Sequence, residues 1–163
     1  RARISEYFRI SQSNVHAYVF GEHGDSSFVP FSTLTLGGKN YKELQEAKPE
    51  KYSKLTEDFV LERTRYIGYD IINGKGSTEF GIGAACADIC KAIFHDEKRV
   101  IPASVLLEGE YGIDGVACGV PCVIGRNGIE DIIELELNDK EKEQMAHTCS
   151  VIKDYCERAE KVK

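Results

Sequence analysis

The sequence predicts an α+β fold in which antiparallel sheets pack with long helices. Strand-like segments come first, two helical segments follow, then three more strands, then one helix. That order differs from the strict strand–helix alternation of a parallel α/β protein. The late strands are separated only by short turns, and the helical segments carry apolar residues three and four apart.

Residues 1–8 read as the tail of a helix, with Ile4, Tyr7 and Phe8 on one face and no capping residue before them. The chain is expected to begin inside an element, as a fragment would. The alternating run 15–20 reads as a strand, and the loop Gly21-Glu22-His23-Gly24-Asp25-Ser26 follows it. Gly37-Gly38 signals a two-residue hairpin. A helix is expected from about Pro49 to the stop Asn73-Gly74-Lys75-Gly76, with Tyr52, Leu55, Phe59, Tyr66 and Ile67 as its stripe. Gly68 inside it would admit another backbone or mark a bend. A second helix starts at Ser77-Thr78-Glu79, where either hydroxyl can cap, and its small residues Gly81 to Ala85 favour close packing. Strands are expected over 100–107, 116–124 and 129–137. The signal Asn138-Asp139 opens the last helix, whose seam is Met145, Cys149, Ile152, Cys156 and Ala159.

A length of 163 residues suits one domain with one core. Hydrophobic residues make up 42% and charged residues 29%, the balance of a globular domain. No apolar run reaches the length of a membrane span, and no apolar stretch follows Arg1-Ala2-Arg3, so neither a membrane partner nor a signal peptide is expected. The net charge of −6 argues against a nucleic-acid partner. The 6 cysteines form no Cys-x-x-Cys pair, which argues against zinc or redox chemistry. All are expected to be buried small hydrophobes in the reducing cytoplasm.

His23 is the candidate that bears on chemistry. Imidazole titrates near neutrality and can take and return a proton, and the flanking glycines would let a substrate approach. The alternative is an ordinary turn histidine. Asp25 and Ser26 are too near in sequence to complete a hydrolase triad around it. Asn73 to Thr78 lacks the Gly-Lys-Ser/Thr of a P-loop, and Gly81-Ile82-Gly83 lacks the preceding strand and third glycine of a dinucleotide fingerprint. Thr78 is either a cap or a substrate contact, since a helix N-terminus suits a carboxylate. His16, seven residues before His23, cannot share a metal with it and is either a surface residue or, with Arg1 or Arg3, part of a cationic patch for phosphate. His95 and His147 read as solvated.

Three segments resemble the L-lactate and malate dehydrogenase family, over its C-terminal, substrate-binding domain. They are Val15 through Ser26, Gly74-Lys75-Gly76-Ser77-Thr78-Glu79-Phe80-Gly81-Ile82-Gly83, and Gly109-Glu110-Tyr111-Gly112 continuing through Gly119 to Ile129. The resemblance implies that the whole chain, 1–163, is that domain, with the NAD-binding half absent. It implies His23 as the proton acceptor and donor, Thr78 lining the substrate pocket in the lactate-type manner, and Ile82 packing under the nicotinamide ring of NAD. It also implies Arg1 and His16 at positions that bind fructose 1,6-bisphosphate across a subunit interface. The implied substrate is a small 2-hydroxy or 2-keto acid and the implied assembly a homo-oligomer, a tetramer in the lactate enzymes. The family's Leu-Asp-x-x-Arg segment, source of the orienting aspartate and the carboxylate-clamping arginine, falls just before Arg1 on an ungapped count; a two-residue gap reverses this. L-Lactate is the expected substrate, with malate or a branched 2-hydroxy acid such as L-2-hydroxyisocaproate as alternatives, because the discriminating loop lies in the other half. A non-catalytic oligomerisation or effector-binding module is the reading from another class. The residues 1–163 alone are expected to be inactive, and the face meeting the other domain is expected to be apolar.

Overall fold

The structure, a computed structural model, describes residues 1–162. It is α+β, with two three-stranded antiparallel sheets and six α-helices among the described residues. The first sheet comprises β1 (Val15–His16), β2 (Thr35–Leu36) and β3 (Lys39–Asn40), in that order. Gly37 and Gly38 close the β2–β3 hairpin at φ +59° and +84°, the paired left-handed conformation that a tight hairpin requires and that glycine adopts without strain. This sheet shares a core with α1 (Ala2–Phe8), α2 (Tyr41–Ala47) and the first turns of α4 (Glu57–Lys75), built on Ile4, Val15, Leu34, Tyr41, Leu55 and Val60.

The second sheet comprises β4 (Arg99–Glu108), β5 (Asp114–Gly125) and β6 (Gly128–Ile132). Along β5 the alternate residues Val116, Cys118, Val120, Cys122 and Ile124 are buried, as a two-residue period demands of a sheet with one packed face. α5 (Glu79–Phe94) and α6 (Asp139–Glu160) pack on that strand and bring Ala92, Met145 and Cys149 to a second core. The domain therefore holds two clusters, where one core was expected.

α6 starts as its sequence signal indicates. The Asn138 side chain accepts from the Glu141 amide at 3.0 Å, and the Glu141 carboxylate accepts from the Asn138 amide at 3.0 Å. Glu141 is buried and also accepts from the Ser32 amide at 2.9 Å and the Ser32 hydroxyl. One carboxylate thus caps a helix and tethers the segment 30–33 to it. Asn138→Ala is expected to cost about 1 kcal/mol, whereas Glu141→Ala, which also strands the partly buried Ser32 amide, should cost about 3 kcal/mol; urea unfolding of both variants measures the difference.

Several elements depart from the sequence reading. Only Val15 and His16 of the run 15–20 pair as a strand; Phe20 and Gly21 return as isolated bridges. The helix expected from Pro49 is interrupted. α3 (Pro49–Tyr52) ends, Leu55 turns inward, and Thr56, extended at φ −107° and ψ 159°, caps a fresh helix by accepting from the Phe59 amide at 3.3 Å. The Tyr41 hydroxyl donates to the Tyr52 carbonyl across this break, and burial first, then neighbouring tyrosines, push its pKa up to about 12. β6 stops at Ile132 rather than at 137, although the Ile133 amide still donates to the Pro121 carbonyl at 2.8 Å. A side chain at Gly68, Gly81 or Gly83 would meet nothing within 4 Å, so these glycines mark no close approach within this chain.

The cysteine expectation holds for half the set. Cys118, Cys122 and Cys149 are buried, but Cys86, Cys90 and Cys156 are exposed. Cys86 and Cys90 lie on α5, and Cys156 lies beyond the part of α6 that reaches the sheet. Tyr66 and Ile67 on α4, and Phe80 and Ile82 on α5, are likewise exposed. Nothing among the described residues covers these faces. Exposed apolar residues therefore gather on α4 and α5.

Candidate functional site

His23 stands exposed on a corner anchored on both sides. Before it, Phe20 exchanges two backbone hydrogen bonds with Phe28, at 2.8 and 3.1 Å. Gly21 exchanges two with Gly119 in the middle of β5, at 3.0 and 3.1 Å. After it, Ser27 closes the turn by donating its amide and hydroxyl to the Gly24 carbonyl, at 3.2 and 2.8 Å. From α4, the Arg65 guanidinium donates to the Ser27 carbonyl at 2.6 Å. The corner thus bonds directly to both β5 and α4.

The glycines serve this anchoring. Gly21 sits at φ +96°, and a side chain there would meet the Thr148 hydroxyl oxygen at 2.4 Å. A side chain at Gly119 would meet the Gly21 carbonyl oxygen at 2.8 Å. At Gly24 it would meet the Glu22 carboxylate at 2.5 Å. Room for a substrate was the reason inferred from sequence; room for neighbouring protein atoms is what the structure shows.

Below the corner, the Phe20 ring packs edge-on against Phe28 and Tyr111, at centroid distances of 5.7 and 5.9 Å. The Tyr111 hydroxyl donates to the Ile133 carbonyl at 3.3 Å and accepts from the Leu135 amide at 3.0 Å. Burial is the main cause that pushes its pKa up to about 12, so it stays a neutral phenol. This Gly109-Glu110-Tyr111-Gly112 segment supports the corner from beneath and supplies no titrating group to it.

An open cleft of about 440 Å³ flanks the corner. Its walls are Glu22, Gly24, Asp25 and Ser26 of the loop, Tyr69 of α4, and His147, Val151 and Tyr155 of α6. Neither His23 nor Thr78 is part of that wall. Thr78 is the residue preceding α5, half-exposed, and its hydroxyl makes no capping bond. The adjacent Glu79 carboxyl is held below the usual carboxylate range by hydrogen bonding from Ser77 first, then from its own amide and from Lys75. The expected cap at Thr78 is therefore absent and its hydroxyl is left unspent. Ile82, one turn on, is 62% exposed.

Arg1 donates from Nε to the Ala17 carbonyl at 3.4 Å, and its guanidinium lies 5.0 Å from the centre of the Tyr18 ring. That places it against the chain immediately following His16, which is exposed on β1. Arg3 pairs with Glu6 at 3.0 Å instead. His95 and His147 are exposed, as their sequence context suggests. Among the described residues no cluster of three or more His, Cys, Asp and Glu is placed to hold a metal, and no helix is long and apolar enough to cross a membrane.

Sequence reasoning missed Thr148, Arg65 and Glu141. A capping-box pattern marks Glu141. No local signal marks Thr148, a threonine in mid-helix 126 residues from the loop it bonds.

The glycine-anchored corner is thus set on an antiparallel sheet between two long helices and presents one exposed histidine. The α/β C-terminal domain family of lactate/malate dehydrogenases matches residues 1–163, and the chain belongs to that family. It is 40% identical over 154 residues to an L-lactate dehydrogenase of Fusobacterium nucleatum, covering 94% of this chain and 48% of that protein. Identity to an L-lactate dehydrogenase of Bacillus pumilus is 42%, over 94% of this chain and 49% of the relative. A solved lactate dehydrogenase from a Medee basin deep-sea metagenome library superposes with a TM-score of 0.84 at 36% identity, over 94% of this chain and 49% of that one. The chain spans about half the length of these relatives.

Proposed function

We propose that these residues form the substrate-side half of an NAD-dependent L-2-hydroxy acid dehydrogenase that interconverts L-lactate and pyruvate. The observation that carries the reading is the corner: the loop that bears its one exposed imidazole is held by backbone bonds to β5 and by Arg65, in a chain about 40% identical to a protein named L-lactate dehydrogenase.

His23 is the proton acceptor and donor. Neutral imidazole takes the proton of the substrate hydroxyl during oxidation, and imidazolium polarises the ketone and returns that proton during reduction. Thr78 lines the substrate pocket, because its hydroxyl is free at a helix N-terminus where a carboxylate is favoured. Ile82 offers exposed apolar surface between two glycines with open space around them, which fits a flat apolar ring. When bound, the nicotinamide accepts or returns two electrons with one hydrogen at C2 of the substrate. An aspartate that orients His23 and an arginine that clamps the carboxylate complete the reaction; on an ungapped count the family segment that carries them falls just before Arg1, and a two-residue gap reverses this.

Arg1 and His16 form an exposed cationic strip for a phosphate of fructose 1,6-bisphosphate, and the exposed apolar surface of α4 and α5 supports a homo-oligomer. A cytoplasmic location accords with three buried free thiols and a nicotinamide-linked reaction.

The test compares the polypeptide from the full open reading frame with residues 1–163. The full polypeptide should oxidise NADH with pyruvate at higher kcat/KM than with oxaloacetate or 2-ketoisocaproate, and residues 1–163 alone should give no turnover. Activity of the short chain, or no activity of the long one with any 2-keto acid, overturns the reading.

A further inference from the structure

Thr148 lies in the middle of α6 and is fully buried. A threonine inside a helix ordinarily turns its hydroxyl back to the carbonyl four residues earlier. Thr64 on α4 does so, donating to the Val60 carbonyl at 2.7 Å. The Thr148 hydroxyl is spent on the His23 corner instead. It accepts from the Glu22 amide at 2.9 Å and lies 2.9 Å from the Ser26 hydroxyl. The Ser26 hydroxyl in turn donates to the Glu22 carboxylate, which also accepts from the Ser26 amide at 3.4 Å.

The protons count correctly around this ring. Ser26 gives its one hydroxyl proton to Glu22, so Thr148 gives its own to Ser26 and accepts from the Glu22 amide. Both hydroxyls donate and accept, and one Glu22 carboxylate oxygen accepts twice. The ring closes over residues 22–26 and takes no atom from His23, which rides on it. Gly21, at φ +96°, leaves the space that the Thr148 side chain fills.

We propose that Thr148 is a positioning residue for proton transfer: its hydroxyl holds the Glu22–Ser26 ring in the arrangement that presents the His23 imidazole to substrate. The inference rests on the reading of His23 as proton carrier. Losing the hydroxyl strands the Glu22 amide and frees the Ser26 hydroxyl, so the loop re-pairs in another arrangement. Reactive geometry tolerates such a shift poorly, since about 1 Å of misplacement can cost about 100-fold in rate.

The test uses the full-length enzyme and four variants. Thr148→Val keeps the shape and deletes the hydroxyl; it should lower kcat about 10- to 100-fold while KM for pyruvate and Kd for NADH stay near the parent values. Thr148→Ser restores the hydroxyl and should recover most of the lost kcat. A residue that merely supports the fold would lower Tm and leave the kcat of the folded enzyme unchanged, and that result overturns the inference. Should Thr148→Val not fold, Ser26→Ala decides: it opens the same ring and should lower kcat several-fold, and an unchanged kcat overturns the inference. His23→Asn separates the two levels. Parent-like turnover in that variant refutes the proton-carrier reading, and the Thr148 inference falls with it; a loss in His23→Asn beside an unchanged Thr148→Val refutes the Thr148 inference alone.

Discussion

His23→Asn in the full-length enzyme is expected to lower kcat for pyruvate reduction about 100- to 10,000-fold, the usual range for removing a general acid–base group. Asparagine retains comparable size and a donor nitrogen, but it cannot exchange a proton near neutral pH. The loss therefore isolates proton transfer from shape. Folding should be untouched, because the corner is held by backbone bonds of Phe20, Gly21 and Ser27 and by side chains of Arg65 and Thr148. Among the described residues no hydrogen bond uses the imidazole. Kd for NADH, read by fluorescence titration, should change by less than about twofold, since the proposed nicotinamide contact is Ile82. Loss of NADH affinity, or a large fall in Tm, would mark His23 as a structural residue.

Gly21→Ala is expected to destabilise the domain by about 2–5 kcal/mol, the sum of a left-handed conformation and an overpacked contact. Both costs are visible at this position. The backbone has φ +96°, and the new carbon would lie 2.4 Å from the Thr148 oxygen, which belongs to a buried helix side chain and cannot swing into solvent. Relief requires parting Gly21 from Gly119 or loosening α6 from the corner. Gly38→Ala is the matched control: φ is +84° there, but nothing lies within 4 Å, so only the conformational cost of about 1–2 kcal/mol remains. Urea unfolding of the two variants separates strain from collision, and equal losses would show that the Thr148 contact carries no weight.

The two substitutions mark where sequence reading succeeds and where it stops. The Gly37-Gly38 hairpin, the Asn138 cap, the burial of Cys118 and Cys122 and the first half of the α6 seam, at Met145 and Cys149, were legible, because each is set by residues within one turn or one strand of each other, whereas Cys156 and Ala159 at the far end of that seam are exposed. The helix break before Thr56 was not, because periodicity runs through it and only the burial of Leu55 and the Tyr41 hydroxyl on the Tyr52 carbonyl interrupt it. Exposure at Cys86, Cys90 and Ile82 was not either, since an apolar face in sequence says that a partner is needed and not whether this chain supplies it.

The sequence by itself determined the α+β class, the family, and the histidine to which chemistry is assigned. The class rests on short-range patterns, where capping, turn conformation and side-chain period act between near neighbours, and the family and the role proposed for His23 rest on the resemblance of three motif segments. Tertiary structure alone decided what holds that histidine: Gly119 bonds Gly21 from the opposite sheet, Arg65 reaches Ser27 from α4, and Thr148 bonds Glu22 across 126 residues. Bonds at that separation depend on where the packed cores place each backbone, and no local preference of the chain encodes them.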